Sequence, residues 1–216
     1  SEIKQKSLTR GSVKRGNGSA KLKAVIMEGH DLMQRVKQGD KGAFNELLDK
    51  YQQEVLNYAY RIVRSRHEAE DIAQEVFIKV YKAAGSYSPS AKFTTWLYRI
   101  TSNTAIDFIR KKKTDAGLGA KSIYEESAGE NAKDLSDIAD TASVSAELRA
   151  EKNQAEENVN QALLSLPENQ RMAMVLLVYE DKSYKEIAQI LSVSVSSVES
   201  LIFRAREALK NKLLNK

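Results

Sequence analysis

The chain has no cysteine, which excludes disulfides and thiolate-held metals. Its only histidines are His30 and His67, too few for an imidazole-based zinc site. No apolar run approaches the roughly 20 residues that a membrane-spanning helix needs, and no short apolar stretch reads as the heart of a secretory leader. A cytoplasmic location without membrane insertion is the expectation that follows. Also missing are a nucleophile–base pair, a set of clustered metal ligands and a phosphate-cradling glycine loop. No enzymatic activity, metal or cofactor is therefore expected.

What is present is helix-forming and unevenly charged. The 216 residues suffice for one large domain or two small ones, and 42% apolar with 29% charged residues is ordinary for a helix-rich globular chain. A net charge of +5 suits a polyanionic partner, but the distribution is more telling. Residues 1–23 carry seven Lys/Arg against one acid and residues 30–113 fifteen against ten, whereas residues 125–157 carry ten acids against three bases. Such blocks point to modules with separate partners.

Hydrophobic periodicity predicts helices over about 30–38, 41–64, 68–84 and 94–113, broken at Gly39-Asp40, Ser65-Arg66 and 85–92. It fades over 114–152, which is Ala/Ser/Glu/Asp-rich, and then returns to the C-terminus. Pro167 suits the first turn of a helix, where a missing N–H costs nothing. The expected architecture is all-α: a basic disordered tail over 1–28, a helical domain over 29–113, an acidic flexible linker over 114–152, and a second helical domain over 153–216.

The C-terminal domain holds the most specific local pattern. Ser183–Glu186 and Ser196–Glu199 both fit a capping box, in which a hydroxyl and a carboxylate satisfy each other's orphan backbone N–H groups. Between them Ile187, Ala188, Leu191 and Val193 keep the spacing of two short helices crossing steeply, with Ser192 in the turn. This is a helix-turn-helix, the arrangement that places a second helix in a DNA major groove. At 100° per residue, Val198, Leu201, Ile202, Ala205 and Leu209 face inward, while Ser196, Glu199, Ser200, Phe203 and Arg204 face outward. A large aromatic off the core stripe wants a partner such as a sugar or thymine methyl, and Glu199 can accept from cytosine N4. Arg204 and Arg206 suit phosphates. An ordinary helical hairpin with solvated charges is the plainer alternative.

In the first domain, Ala69, Ile72, Ala73, Val76, Phe77 and Val80 form a buried stripe, leaving Asp71, Gln74, Glu75, Ile78 and Lys82 on the opposite face. Ile78 among charges reads as a docking surface; solvation explains the charges alone. Leu97, Ile100, Thr104 and Phe108 are the expected core of the following helix, with Arg99, Asn103, Ile106 and Arg110 on another face. Tyr87, Phe93, Trp96 and Tyr98 interleave with Lys92, Arg99 and Arg110 beside a polar loop, a mixture suited to unstacked single-stranded bases. Burial of part of Trp96 is the competing reading, and the cations of 110–113 also complement a helix C-terminus.

These segments, with DxxQExFIKxYKA at 71–83, FTTWLYRITSNTA at 93–105 and SLPENQRMAMVL followed by SYKEIAQILSVSVSSVESLIFRAREAL, resemble the bacterial extracytoplasmic-function (ECF, group 4) sigma factors, best the sigma-E type. The likeness covers about 30–113 and 153–213. It implies sigma domain 2 and sigma domain 4 with no domain 3 between them. It further implies that Asp71, Gln74, Glu75 and Ile78 bind the β′ clamp helices of core RNA polymerase. Tyr87, Ser90, Lys92, Phe93, Trp96, Arg99 and Asn103 would capture the melted −10 element. Arg171, Ser196, Ser197, Glu199, Ser200, Phe203 and Arg204 would address the −35 duplex. The β flap of polymerase, promoter DNA and an anti-sigma factor are the implied partners, and the acidic linker would thread near the RNA exit path. The chain departs from its relatives at Ser196-Ser197, where they often have Gly-Thr, and at Glu199 and Leu201, where they often have Arg. Two fewer cations on the recognition helix predict altered −35 preference. A free-standing helix-turn-helix regulator is the alternative, needing no polymerase-facing surface; a sequestering module of helical faces is the other, and it has no use for Phe203 beside Arg204.

Overall fold

The computed structural model describes residues 28–117 and 146–214, with side chains in the helix after the linker described from residue 152 onward. Most of the expected tail and residues 118–145 of the expected linker lie outside the described residues. The described residues form eight α-helices and one short 3₁₀ turn, and no strand. They are α1 (28–37), α2 (Lys41–Val63), α3 (Arg66–Ala83), α4 (Phe93–Gly117), α5 (Ala146–Leu164), α6 (Glu168–Val178), α7 (Tyr184–Leu191) and α8 (Val195–Leu214). α4 and α5 thus carry helix into both ends of the segment expected as linker.

The breaks follow local chemistry. Gly39 adopts φ of +90°, which a side chain disfavours, and Asp40 then caps α2 by accepting from the Ala43 N–H at 3.1 Å. α2 ends at Arg64 in the left-handed conformation, and Ser65 caps α3 through the Glu68 N–H. α7 opens with the expected capping box: Ser183 accepts from the Glu186 N–H, and the Glu186 carboxylate accepts from the Ser183 N–H at 3.0 Å. The second box is displaced. α8 begins at Val195, and Ser194, not Ser196, caps it by accepting from the Ser197 N–H at 3.1 Å. The left-handed Ser192, with φ of 56°, turns the chain early and brings Ser194 to the cap position.

In the N-terminal half, α2, α3 and α4 pack around Leu47, Tyr58, Ile62, Ile72, Val76, Val80 and Leu97. The inward face of α4 is more polar than the expected stripe. Thr101, Ser102, Thr104 and Ala105 are buried with Ile109, whereas Ile100 and Phe108 are only partly covered. The three hydroxyls survive burial because each donates to a carbonyl four residues back, at Leu97, Tyr98 and Ile100. In the C-terminal half, α6, α7 and α8 enclose Met172, Leu176, Ile187, Ile190, Val198 and Ile202.

The two halves are not merely tethered. α6 packs on α2 and α7 on α4, and the buried residues of both halves form one continuous cluster. Among the described residues no single helix is long and apolar enough to cross a membrane.

Candidate polymerase and promoter interfaces

α3 presents Asp71, Gln74, Glu75 and Ile78 outward, all exposed. The two acids are partnered along the helix, Asp71 with His67 at 3.2 Å and Glu75 with Lys79 at 3.6 Å. Gln74 and Ile78 line an open groove of about 740 Å³ between α2 and α3, walled also by Phe44, Leu48, Leu56 and Tyr81. Ile78 is 43% and Tyr81 52% exposed, and Tyr81 sits edge-on to Phe44 with ring centroids 5.0 Å apart. This apolar wall on α2 lay outside the sequence reading. Its signal was there: Phe44, Leu48, Gln52 and Leu56 recur every fourth residue and mark one helix face.

The loop before α4 and the start of that helix form an aromatic cluster. Tyr87 and Phe93, expected to reach for a base, are 4% and 1% exposed. Tyr87 lies edge-on to Trp96 with centroids 4.8 Å apart, Phe93 meets Tyr51 at 4.9 Å, and the Tyr87 hydroxyl bonds His30 Nδ1. α1 covers this cluster closely; a Cβ on Gly29 would lie 2.5 Å from the Phe93 ring. Burial raises the Tyr51 and Tyr87 hydroxyls to about 12, so both stay protonated. Ser90, Lys92 and Asn103 remain exposed, and Trp96 and Arg99 are half-covered. Lys92, Trp96, Arg99 and Asn103 thus run along one face of α4 and its approach.

α7 and α8 turn through 100° about Ser192–Ser194, the geometry of a helix-turn-helix. Val198, Ile202 and Ala205 are buried against the domain, with Leu201 and Leu209 partly so. Ser196, Ser197, Glu199, Ser200, Phe203 and Arg204 all project outward, and Phe203 is 67% exposed. Ser200 is turned back on the Ser196 carbonyl at 3.0 Å. Arg171 departs from its expected duplex-facing place: it is 8% exposed and donates to the carbonyls of Ile62, Leu164 and Leu166. Its two terminal nitrogens thereby satisfy carbonyls in the last turns of α2 and α5 and in the connection between α5 and α6.

The polar contacts at the junction between the halves were missed by sequence reasoning, because they join residues 55 to 119 positions apart. Glu180, in the α6–α7 turn, accepts from Arg61 at 2.9 Å and from the Tyr98 hydroxyl at 2.5 Å. Lys92 pairs with Glu186 at 2.7 Å, Arg99 donates twice to the Gln189 carbonyl at 2.9 and 2.6 Å, and Lys113 pairs with Glu168. Burial opposes ionisation of Glu186, but the Lys92 ammonium and the Ser183 donors outweigh it and hold the carboxyl at about 2. Glu168 is likewise held low, chiefly by Lys113.

Residues 47–114 match the Sigma-70 region 2 family and residues 156–209 the Sigma-70, region 4 family. The chain is 38% identical over 183 residues to the ECF RNA polymerase sigma factor SigW of Bacillus subtilis, covering 84% of this chain and 94% of that one. It is 37% identical over 185 residues to the ECF RNA polymerase sigma-E factor of Escherichia coli K12, covering 84% and 92%. The chain belongs to the ECF RNA polymerase sigma factors. In fold, this sigma factor is similar to CnrH in complex with the cytosolic domain of CnrY, with a TM-score of 0.61 at 22% identity over 88% of this chain and 99% of that one. It is also similar to the sigma factor RpoE in complex with the anti-sigma factor NepR from Bartonella quintana, with a TM-score of 0.56 at 21% identity over 79% and 96%. Membership makes it a promoter-directing initiation factor that works with core RNA polymerase and promoter DNA, not a free-standing regulator and not an enzyme.

Proposed function

We propose that this sigma factor divides promoter recognition between two surfaces, 29–113 for core polymerase and the melted −10 strand, and 153–216 for the −35 duplex. The observation that carries the reading is the strip of Lys92, Trp96, Arg99 and Asn103 on one face of α4, a stacking ring among donors beside an exposed loop. Ser90 lies in that loop and extends the strip. Tyr87 and Phe93 act beneath it, as the packed floor that fixes the Trp96 ring.

Asp71, Gln74, Glu75 and Ile78 with the α2–α3 groove form the polymerase-docking face, where an apolar helix fits the groove and the acids take its flanking cations. On α8, Phe203 packs on a sugar or thymine methyl, Arg204 meets a phosphate, and Ser196, Ser197, Glu199 and Ser200 read or line the groove. Arg171 supports this reader from below. The β flap and an anti-sigma factor are the further partners proposed, the latter because similarly folded sigma factors are seen in complex with such proteins. A cytoplasmic site of action, beside polymerase and chromosome, goes with this role.

The test is core-polymerase binding by an Ile78→Glu chain, measured by fluorescence anisotropy. A charge placed over the apolar groove is expected to weaken binding by at least tenfold while duplex −35 affinity is unchanged. Wild-type core affinity in that variant would remove α3 from the docking face.

A further inference from the structure

The two cations proposed to hold the −10 strand, Lys92 and Arg99, are already occupied, and by the chain itself. α7, the first helix of the helix-turn-helix, lies on α4. Among the described residues three ion pairs cross the junction, and in each the cation belongs to the N-terminal half and the carboxylate to the C-terminal half: Arg61–Glu180, Lys92–Glu186 and Lys113–Glu168. The Gln189 carbonyl takes both donors that Arg99 extends toward it. Lys92 and Arg99 thus meet oxygens of α7 in the way a strand's phosphates would meet them. A carboxylate and a phosphate offer a guanidinium or ammonium the same kind of acceptor.

We infer that the free sigma factor masks its own −10-strand face through an internal latch, in which Glu186 and the Gln189 carbonyl occupy Lys92 and Arg99 while Glu180 holds the two halves together. The inference rests on the proposed −10 role of Lys92 and Arg99. Glu180 is the anchor. Its side chain is only 10% exposed, it is gripped by Arg61 and Tyr98 together, and Lys182 lies 4.7 Å over the Tyr98 ring beside it. Glu186 is the displaceable part, because Lys92 is 47% exposed and open to competition from a polyanion or salt. α7 and a DNA strand cannot share one face of α4, so strand capture requires the halves to part. Polymerase or duplex DNA that engages the separated halves would release the latch by mass action, without any modification of the chain.

The absence of cysteine allows a direct test on the full chain. Cysteines introduced at exposed Asn45 and Asn211 are labelled for energy transfer, and the chain is compared with its Glu180→Gln/Glu186→Gln form. Glutamine at 186 retains the capping box, so α7 keeps its N-terminus. The wild-type chain should give one narrow distance at about 50 mM salt, and the double variant a longer and broader one. A fluorescein-labelled single-stranded 12-mer of mixed sequence should bind the double variant about fivefold more tightly, a gain that disappears when Lys92→Ala/Arg99→Ala is added. Equal distances in the two chains, or opening without a gain in strand affinity, would overturn the latch. Run-off transcription with core polymerase separates the two ideas. Promoter-dependent transcripts alongside unchanged distances remove the latch alone, whereas transcripts unaffected by Lys92→Ala/Arg99→Ala remove the −10 assignment and the masking built on it.

Discussion

Arg171 illustrates how a residue type can mislead when its surroundings are unseen. An arginine at the start of a DNA-binding domain invites a phosphate, yet this one serves three main-chain carbonyls, one of them at the end of α2 in the other half. Arg171→Ala is expected to cost on the order of 3 kcal/mol of stability, since buried carbonyls lose a charged donor, and chemical denaturation of the full chain measures it. Tyr51 behaves oppositely. Its hydroxyl is buried without a hydrogen-bond partner, so Tyr51→Phe should leave the thermal midpoint unchanged or raise it. On the recognition helix, Phe203 and Arg204 were legible from sequence because helical periodicity fixes which way each residue points. Arg204→Ala should weaken duplex −35 binding and lower its salt slope by about one, which a salt titration of affinity reads. An unchanged slope would take Arg204 off the phosphate backbone. Tyr87 and Phe93 were not legible in the same way. Aromatics beside a loop suit both base stacking and a packed floor, and the choice depends on α1, which folds over them from 57 or more residues away.

At the level of elements, the sequence located the breaks well because they rest on short-range chemistry. Gly39-Asp40 and Ser65 act on donors three residues away, and no distant partner is needed to see them. The start of α8 shows where such reasoning slips. Ser194, Ser196 and Ser197 all carry hydroxyls, and a box pattern at Ser196–Glu199 reads as well as a cap at Ser194. The left-handed Ser192 decides between them. Ser194→Ala should therefore lower stability by about 1 kcal/mol, while Ser196→Ala, whose hydroxyl touches the Ser194 hydroxyl at 2.9 Å but caps no backbone N–H, should cost less. Equal losses from both would restore the cap to Ser196. Ser192→Gly should stabilise by about 1 kcal/mol, since glycine takes the left-handed conformation without a Cβ clash. The groove wall on α2 was legible in its four-residue spacing, but Phe44, Leu48 and Leu56 read equally well as core. Only the placement of α3 shows that they line an open surface.

For the whole molecule, the division into two all-helical halves followed from periodicity and charge, and their contact did not. Ion pairs such as Arg61–Glu180 join residues 119 positions apart, and no local pattern announces them. Their pH dependence follows from Glu186 and Glu168. Both carboxyls sit below their ordinary value of 4.5 in the folded chain, so the stability they contribute is complete above that value. It falls as pH drops through the folded values, toward about 2 for Glu186. The thermal midpoint of the full chain should decline from about pH 5 downward, and Glu186→Gln should flatten that decline. The division of labour between the halves is the central claim, and run-off transcription with core polymerase over a promoter library tests it most directly. Wild-type chain should yield promoter-dependent transcripts, Glu199→Ala should lose selectivity for the −35 element alone, and Trp96→Ala should bind the same promoters but fail to open them. Promoter-dependent transcription whose −35 selectivity survives Glu199→Ala, and whose opening survives Trp96→Ala, would contradict it.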